Sequence, residues 1–101
     1  MDKNDFKPDT RYTITWRSPD GKVQPANIYV HCAHDHFLVV RRTGADALLR
    51  KMTYPEVVKI VAAKAVDPKD RSRVPAALLE EQAWRDRVVM EHYSSSPRSG
   101  K

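Results

Sequence analysis

Apolar and polar residues alternate along the first third of the chain, as half-buried strands require. In "TRYTITWRS" the apolar Tyr12, Ile14 and Trp16 are separated by threonines and arginines, which predicts a strand with one face on the core. "SPDGK" then supplies Pro19 and Gly21 for a tight turn. "ANIYVHCA" alternates again and predicts a second strand.

"FLVVRR" predicts a third strand that differs from the first two, because its four apolar residues cover both faces. Apolar residues on both sides are typical of a strand whose sheet is covered on both faces. "RTGADA" predicts a turn, and "LLRKM" follows it either as a short fourth strand or as an irregular approach to a helix. The pattern therefore indicates three or four antiparallel strands.

The apolar pattern changes to a helical period in "TYPEVVKIVAAKAV". Tyr54 and Val58 begin an apolar repeat at helical spacing, and Thr53 with Glu56 has the sequence of a capping box. We therefore predict a helix over 53–66. The β-branched residues of this segment also suit a strand, which is the alternative.

A second helix is predicted over 75–93 by "VPAALLEEQAWRDRVVMEHY", which is rich in Ala, Leu, Glu and Arg. Pro75 suits the first turn of this helix. Its large apolar residues, including Leu79, Trp84 and Val88, do not form one stripe. The predicted helix therefore needs more than one neighbour to bury them.

Together these elements predict an α+β domain, with a three- to four-stranded antiparallel sheet, barrel-like in one variant, followed by two C-terminal helices. A flexible arm over 1–9 precedes the single domain over 10–93, and "SSSPRSGK" predicts a disordered tail over 94–101. The third strand needs a further layer, which either the last helix or a second subunit supplies. We expect self-association as a dimer.

The composition is that of an ordinary globular domain, with 101 residues of which 41% are hydrophobic and 31% charged. Cys32 is the single cysteine, so no internal disulfide forms. The N-terminal "MDKNDFKPD" lacks the apolar segment of a signal peptide, and no apolar run approaches the roughly 18 residues that cross a bilayer. We expect a cytoplasmic protein without a membrane partner.

The formal net charge of +5 comes from the middle of the chain. Residues 1–40 and 76–101 each carry equal numbers of acidic and basic side chains, whereas 41–75 carries nine basic against four acidic. This asymmetry favours a polyanionic partner. We predict a basic patch that binds nucleic acid through Arg41, Arg42, Arg50, Lys51, Lys59, Arg71 and Arg73.

Aromatic side chains accompany the basic segment. The alternation of the second strand directs Tyr29 and His31 outward, where we expect them to offer stacking surfaces to bases. The alternative for the whole segment is an ordinary solvated face, because acidic residues such as Asp46 and Asp70 are interspersed with the cations.

The stretch "HCAHDH" raises the question of a metal site. If the second strand ends near Cys32, the thiol lies with Ile28 toward the core and "AHDH" forms the tip of a hairpin. If the strand continued, Cys32, His34 and His36 would share a face as metal ligands. We predict the hairpin tip, with no metal and no cofactor.

Catalytic motifs are absent from the sequence: it contains no GxGxxG, P-loop, GxSxG or HExxH pattern, and Cys32 and His34 lack a nearby oxyanion-hole motif. We therefore predict a small non-catalytic binding protein rather than an enzyme. The alternative to nucleic-acid binding is a protein–protein interaction module, a dimerising adaptor. Its anchors would be Trp84, Val88 and Val89 on the apolar C-terminal helix.

Two segments resemble known families. "LLRKMTYPEVVKIV" resembles the closing segment of Sm-like barrels, in which a Tyr-x-x-Val turn leads into the last strand; that resemblance implies RNA binding, although "HDHFLVV" around Asp35 lacks the Asn of the family's binding pattern. The spacing from "PDGKVQPANIYV" to "TYPEV" resembles the first half of flavin-binding split barrels. The strands that would complete such a barrel are not predicted after residue 66. We take neither resemblance as an identification.

Overall fold

The computed structural model describes residues 1–44, 48–71 and 73–94. Within these ranges lie the strands β1 Thr10–Arg17, β2 Val23–Ala33, β3 Phe37–Arg42, β4 Leu48–Thr53, β5 Val57–Ala65 and β6 Val89–Ser94. They form one antiparallel sheet in the order β5-β1-β2-β3-β4-β6. The described helical segments are single 3-10 turns at Lys3–Asp5, Tyr54–Glu56, Pro68–Asp70, Ala76–Leu79 and Glu81–Trp84.

The sheet curls because of the short connection between β4 and β5. In a flat sheet these two strands would be about 19 Å apart, since three other strands separate them at about 4.8 Å per step. The turn Tyr54–Glu56 bridges only from Thr53 to Val57, which even an extended chain could span by no more than about 14 Å. The end of β4 must therefore approach the start of β5.

The concave face of this curl holds the larger apolar core. Its buried residues come from every strand from β1 to β5, from the turn Tyr54–Glu56 and from the arm before β1: Phe6, Tyr12, Ile14, Trp16, Ala26, Ile28, Val30, Leu38, Val40, Met52, Tyr54 and Val57. The strands predicted by alternation, β1 to β3, are confirmed, and "LLRKM" is the strand β4. Phe6 packs edge-on against Tyr12 at 5.0 Å between ring centroids, so the predicted flexible arm over 1–9 contributes a side chain to the core.

The predicted helix over 53–66 is wrong, because this segment is a single 3-10 turn followed by β5. Glu56 accepts hydrogen bonds from the backbone N–H and the hydroxyl of Thr53, at 2.9 and 2.8 Å, so the capping interaction closes one turn only. The β-branched residues that follow pair with β1 instead. Two register shifts in that pairing place Val58 and Val61 as extra residues, which explains an apolar spacing that resembled a helix.

The predicted helix over 75–93 is also wrong. Residues 76–84 form two 3-10 turns, and β6 follows and pairs with β4. Side chains take the carbonyl groups that an α-helix would use: Trp84 Nε1 donates to the carbonyl of Leu78 at 2.7 Å, and Lys51 Nζ donates to that of Trp84 at 2.7 Å. The two turns pack Leu78 and Trp84 against the sheet. The apolar residues of this segment therefore do not need to form the single stripe that a helix would require.

The fold class is therefore a β-sheet with short 3-10 turns and not α+β, since the described ranges contain no α-helix. The further layer that β3 required comes from the chain itself. Phe37, Val39 and Leu49 on the convex face are buried with Trp84 and Met90 in a second core. The predicted tail over 94–101 lies, beyond its first residue, outside the described residues. Within the described ranges, no helix has the length and apolarity needed to cross a bilayer.

Candidate functional site

Charge is segregated between the strands and the segments that join them. Strands β1 to β5 contain no Asp or Glu, whereas they carry eight basic residues: Arg11, Arg17, Arg41, Arg42, Arg50, Lys51, Lys59 and Lys64. The acidic residues of the described chain lie in the arm before β1, in turns, and after β5. Because the strand cations are not neutralised within the sheet, the sheet is a source of positive potential.

Pairing between strands gathers part of this charge into one row. Residues directly opposite each other in antiparallel strands project to the same face. Arg11 pairs with Lys64 of β5 and with Tyr29 of β2, and Tyr29 pairs in turn with Arg41 of β3. Lys64, Arg11 and Arg41 therefore share the convex face, in a row about 15 Å long at the usual strand spacing.

Two further cations lie on this side of the sheet. Lys59 pairs with Thr15, and the alternation of β1 directs Thr15 and Arg17 to the same side as Arg11. We call the surface formed by Arg11, Arg17, Arg41, Lys59 and Lys64 the cationic face. All but Arg41 are exposed.

Uncharged polar groups lie beside the row. A groove of about 240 Å³ is lined by Arg11 and Lys64 together with Thr13, Asn27 and Thr43. The hydroxyl of Thr13 donates to the side-chain oxygen of Asn27 at 2.7 Å. Hydroxyl and amide groups next to cations are the donors and acceptors that contact phosphate and sugar in nucleic-acid complexes.

Acidic residues border one end of the cationic face. A recess of about 460 Å³ at the end of β5 is lined by Arg11 and Lys64 on one side and by Asp67 and Asp70 on the other. These carboxylates follow β5 in the chain, so they limit the positive surface at this edge of the sheet. Between Arg11 and Arg41 the strands themselves carry no carboxylate.

A buried polar cluster underlies the row between Arg11 and Arg41. The hydroxyl of Tyr29 donates to Oδ1 of Asp9 at 2.5 Å, and Arg71 Nε lies 4.0 Å from Oδ2 of the same carboxylate. The Arg41 guanidinium lies over the Tyr29 ring, 5.2 Å from its centroid. The His31 ring packs against Tyr29 at 4.8 Å between centroids. One aromatic ring therefore carries both a cation and an imidazole.

The stacking surfaces predicted for Tyr29 and His31 are not available. Tyr29 is fully buried and His31 is 7% exposed, because Arg41 and the neighbouring segments cover them. Burial, with a smaller contribution from the Arg41 charge, lowers the pKa of His31 from 6.5 to about 4, and Asp9 opposes this shift. His31 is therefore neutral at pH 7.

The seven residues predicted to bind nucleic acid do not form one surface. Arg41 and Lys59 belong to the cationic face, and Arg71 reaches the Asp9 carboxylate nearby. Arg73 is exposed in the segment after β5. Arg42 and Arg50 lie on the concave side of the sheet, where their guanidinium carbons are 4.7 and 5.5 Å from the centroid of Trp16. Lys51 is held by the C-terminal segment, because its ammonium group donates to the carbonyl of Trp84.

Arg11, Arg17 and Lys64 belong to the cationic face but are not among the seven predicted residues. Residues 1–40 are neutral overall, so a count of charge along the chain does not single out Arg11 or Arg17. The signal that could have found them is the strict alternation of β1, which directs Arg11 and Arg17 outward, together with the absence of acidic residues from "TRYTITWR". Charge counted by strand face, and not by chain segment, reveals the cationic face.

The hairpin tip predicted for "AHDH" is confirmed: β2 ends at Ala33, β3 begins at Phe37, and the His34 N–H donates to the Phe37 carbonyl at 2.8 Å. Cys32 packs against a core, as predicted, but not on the same side of the sheet as Ile28. The β2–β3 register shifts between Val30 and Cys32, so His31 is an extra residue and Cys32 pairs with Val39 of the convex core.

Cys32 and His34 both contact the C-terminal segment. His34 Nε2 lies 2.6 Å from the Leu79 carbonyl, which can only accept, so this nitrogen donates; Cys32 Sγ lies 3.5 Å from the same carbonyl. Burial raises the pKa of the Cys32 thiol to about 11. His36 is exposed on the tip, and no group of three or more potential metal ligands occurs in the described part of the chain.

A larger groove, of about 650 Å³, lies between the hairpin tip and the C-terminal segment. Its lining includes Lys51 and Arg85 but also Glu80 and Glu81. Because these charges balance, the groove gives a polyanion no net attraction. Among the anchors expected of an interaction module, Trp84 is fully buried in the convex core and only Val88 is strongly exposed.

Comparisons of the chain with models of protein families, with curated proteins and with solved structures find no match.

Proposed function

We propose that this chain is a non-catalytic protein whose cationic face binds nucleic acid. The observation that carries the proposal is the charge distribution of the sheet. Five strands bear eight cations and no carboxylate, and the strand register lines up Lys64, Arg11 and Arg41 on one side. Regularly spaced cations on a rigid sheet can each displace a condensed counterion from a phosphate backbone.

Phosphate contact, and not base stacking, is the expected source of affinity. Tyr29 and His31 are covered, so the face offers guanidinium, ammonium, hydroxyl and amide groups without an exposed aromatic ring. Such groups bind the sugar–phosphate backbone and carry little sequence information. The proposal is therefore of weakly sequence-selective, salt-sensitive binding.

The non-catalytic part of the proposal is supported by the state of Cys32. A thiol acts as a nucleophile through its thiolate, and burial holds the pKa of Cys32 near 11. The thiol therefore stays protonated at neutral pH. The cytoplasmic location expected from the sequence belongs to the same proposal.

Self-association is a second candidate, favoured by the edge strand β5. In the described ranges β5 pairs only with β1, and its bulge residues Val58 and Val61 are 45% and 59% exposed. A second copy could add its own β5 to this edge. Light scattering after size exclusion tests this, and V61K should then convert a dimer into a monomer.

Fluorescence anisotropy with a labelled mixed-sequence single-stranded oligonucleotide tests the nucleic-acid proposal. With three phosphate contacts we expect log K to fall against log salt with a slope of about −2, which is roughly a twentyfold loss of affinity between 50 and 200 mM salt. R11Q/R41Q should reduce the steepness of that slope by about 1.4.

Two matched variants control for net charge. R42Q/R50Q removes two cations from the opposite side of the sheet, and R85Q/R87Q removes two exposed cations from the C-terminal segment. Both variants should show the same slope of log K against log salt as the wild-type protein. Equal losses in all three variants would show that only total charge matters, and the cationic face would not be the binding surface.

A further inference from the structure

We propose that Arg11, Arg41 and His31 form a subsite for one phosphate group at the Arg41 end of the cationic face. This inference rests on the proposed function, because it assigns the place where a phosphodiester of the bound nucleic acid is held. The ligand chemistry is a tetrahedral phosphate oxygen, whether from a diester or from a free phosphate.

Two orphaned polar atoms point to a missing acceptor. His31 Nε2 and Arg41 Nε are both buried, and neither has a hydrogen-bond partner within the part of the chain that the structure describes. A buried polar group without a partner is costly, by about 1–3 kcal/mol, so native structures rarely leave one unpaired. Both atoms are closed to solvent, so a phosphate reaches them only when the Arg41 side chain moves away from the Tyr29 ring, which the proposal requires.

Both atoms belong to side chains that contact the Tyr29 ring. The Arg41 guanidinium and the His31 imidazole each lie within about 5 Å of Tyr29, at 5.2 and 4.8 Å between the guanidinium carbon or ring centroid and the Tyr29 centroid. The β-bulge between Val30 and Cys32 creates this arrangement, because it inserts His31 as an extra residue beside the pairing of Tyr29 with Arg41. The Arg41 charge also acts on the His31 imidazole and lowers its pKa, so the two side chains are neighbours, and we infer that they share one acceptor.

The local charge favours an anionic acceptor. Arg11 lies on the other side of Tyr29 and is exposed. Burial lowers the pKa of Arg41, Tyr29 opposes this shift, and the Arg11 charge adds to it. Two guanidinium groups that repel each other are both stabilised when an anion lies between them. Asp9 is the opposing carboxylate, but Oδ1 accepts the Tyr29 hydroxyl and Oδ2 faces Arg71.

The imidazole contributes as a neutral donor. With its pKa near 4, His31 carries one ring hydrogen at pH 7, and the tautomer with that hydrogen on Nε2 can donate to a phosphate oxygen. Arg41 supplies Nε and the terminal nitrogens in the planar arrangement that suits two phosphate oxygens. A lysine at position 41 would keep the charge but lose this geometry.

The experiment titrates the full-length protein with dimethyl phosphate and with inorganic phosphate at constant ionic strength, using chloride as the reference. Side-chain NMR follows the His31 ring nitrogens, which are assigned by their loss in H31Q. We expect a saturable shift of the His31 signals with both phosphates and none with chloride. R41K should weaken phosphate binding about tenfold, as expected for loss of a charge-assisted hydrogen bond.

R42K is the matched control, because Arg42 is the next residue along β3 and its guanidinium lies over Trp16 on the opposite face. It should bind phosphate within twofold of wild type. A linear response that chloride reproduces would show that water alone satisfies the two nitrogens, and it would overturn the subsite. Equal affinities for R41K and R42K would overturn it as well.

Oligonucleotide binding measured on the same samples separates the two proposals. If the oligonucleotide binds while neither phosphate saturates, the cationic face stands and the subsite fails. If both phosphates saturate while no oligonucleotide binds, the subsite stands and the nucleic-acid function fails. Saturation by inorganic phosphate but not by dimethyl phosphate would contradict the diester assignment.

Discussion

The burial of His31 makes a quantitative prediction about acid stability. Burial and the Arg41 charge hold the pKa of His31 at about 4 in the folded protein, against an ordinary value of 6.5. As pH falls below about 6.5 the unfolded chain takes up a proton at His31, whereas the folded protein does so only near pH 4. Between these values the unfolded state binds more protons, so the free energy of unfolding falls as pH falls.

The expected loss follows from the size of the shift. One pKa unit corresponds to about 1.4 kcal/mol, so His31 should cost about 2.5 kcal/mol of stability between pH 7 and pH 4.5. That loss is a large fraction of the roughly 5–15 kcal/mol that stabilises an ordinary domain. The contribution of neutral His31 to the free energy of unfolding should be fully present above about pH 6.5.

Urea unfolding at pH 7, 6, 5 and 4.5 measures this contribution, by comparison of wild type with H31Q. Other groups titrate in both proteins, so the difference between their pH profiles isolates His31. H36Q removes an imidazole from the exposed hairpin tip and serves as the control. Parallel pH profiles for wild type and H31Q would refute the buried, neutral His31 on which this reasoning depends.

Three further predictions concern the fold. W84A should lower the free energy of unfolding by about 3–5 kcal/mol in urea titrations, because Trp84 is fully buried and donates to the Leu78 carbonyl; a loss under 1 kcal/mol would show that the C-terminal segment does not cover the sheet. V57A should cost about 2 kcal/mol and V58A under 0.5, since only Val57 is buried, and equal costs would contradict the strand. Cys32 should react with iodoacetamide at pH 8 far more slowly than the urea-unfolded chain, because its pKa is near 11; equal rates would contradict its burial.

The strands β1 to β3 and the hairpin tip could be predicted because their evidence is local. Alternation in "TRYTITWRS" and the polar break "AHDH" report backbone geometry within a few residues. The apolar spacing of residues 53–66 was equally clear but ambiguous. Val58 and Val61 mimic a helical repeat because bulges insert them, and a bulge exists only relative to the partner strand β1.

The candidate site was predictable only in part for the same reason. The chain shows where its cations are, and it identified Arg41 and Lys59. It does not show that Arg11 pairs with Lys64, 53 positions later, or that one extra residue in β2 brings His31 beside Tyr29 and directs Cys32 to the convex core.

By itself, then, the sequence determined the alternating strands, the turn residues between them and the absence of carboxylates from β1 to β3. Only the tertiary structure decided that residues 57–65 form a strand, that the C-terminal segment lies on the sheet as 3-10 turns, and which cations share a face. The physical reason is that side-chain periodicity depends on neighbouring residues. Strand pairing, bulges and the burial of polar groups depend on hydrogen bonds and contacts with partners far away in the chain.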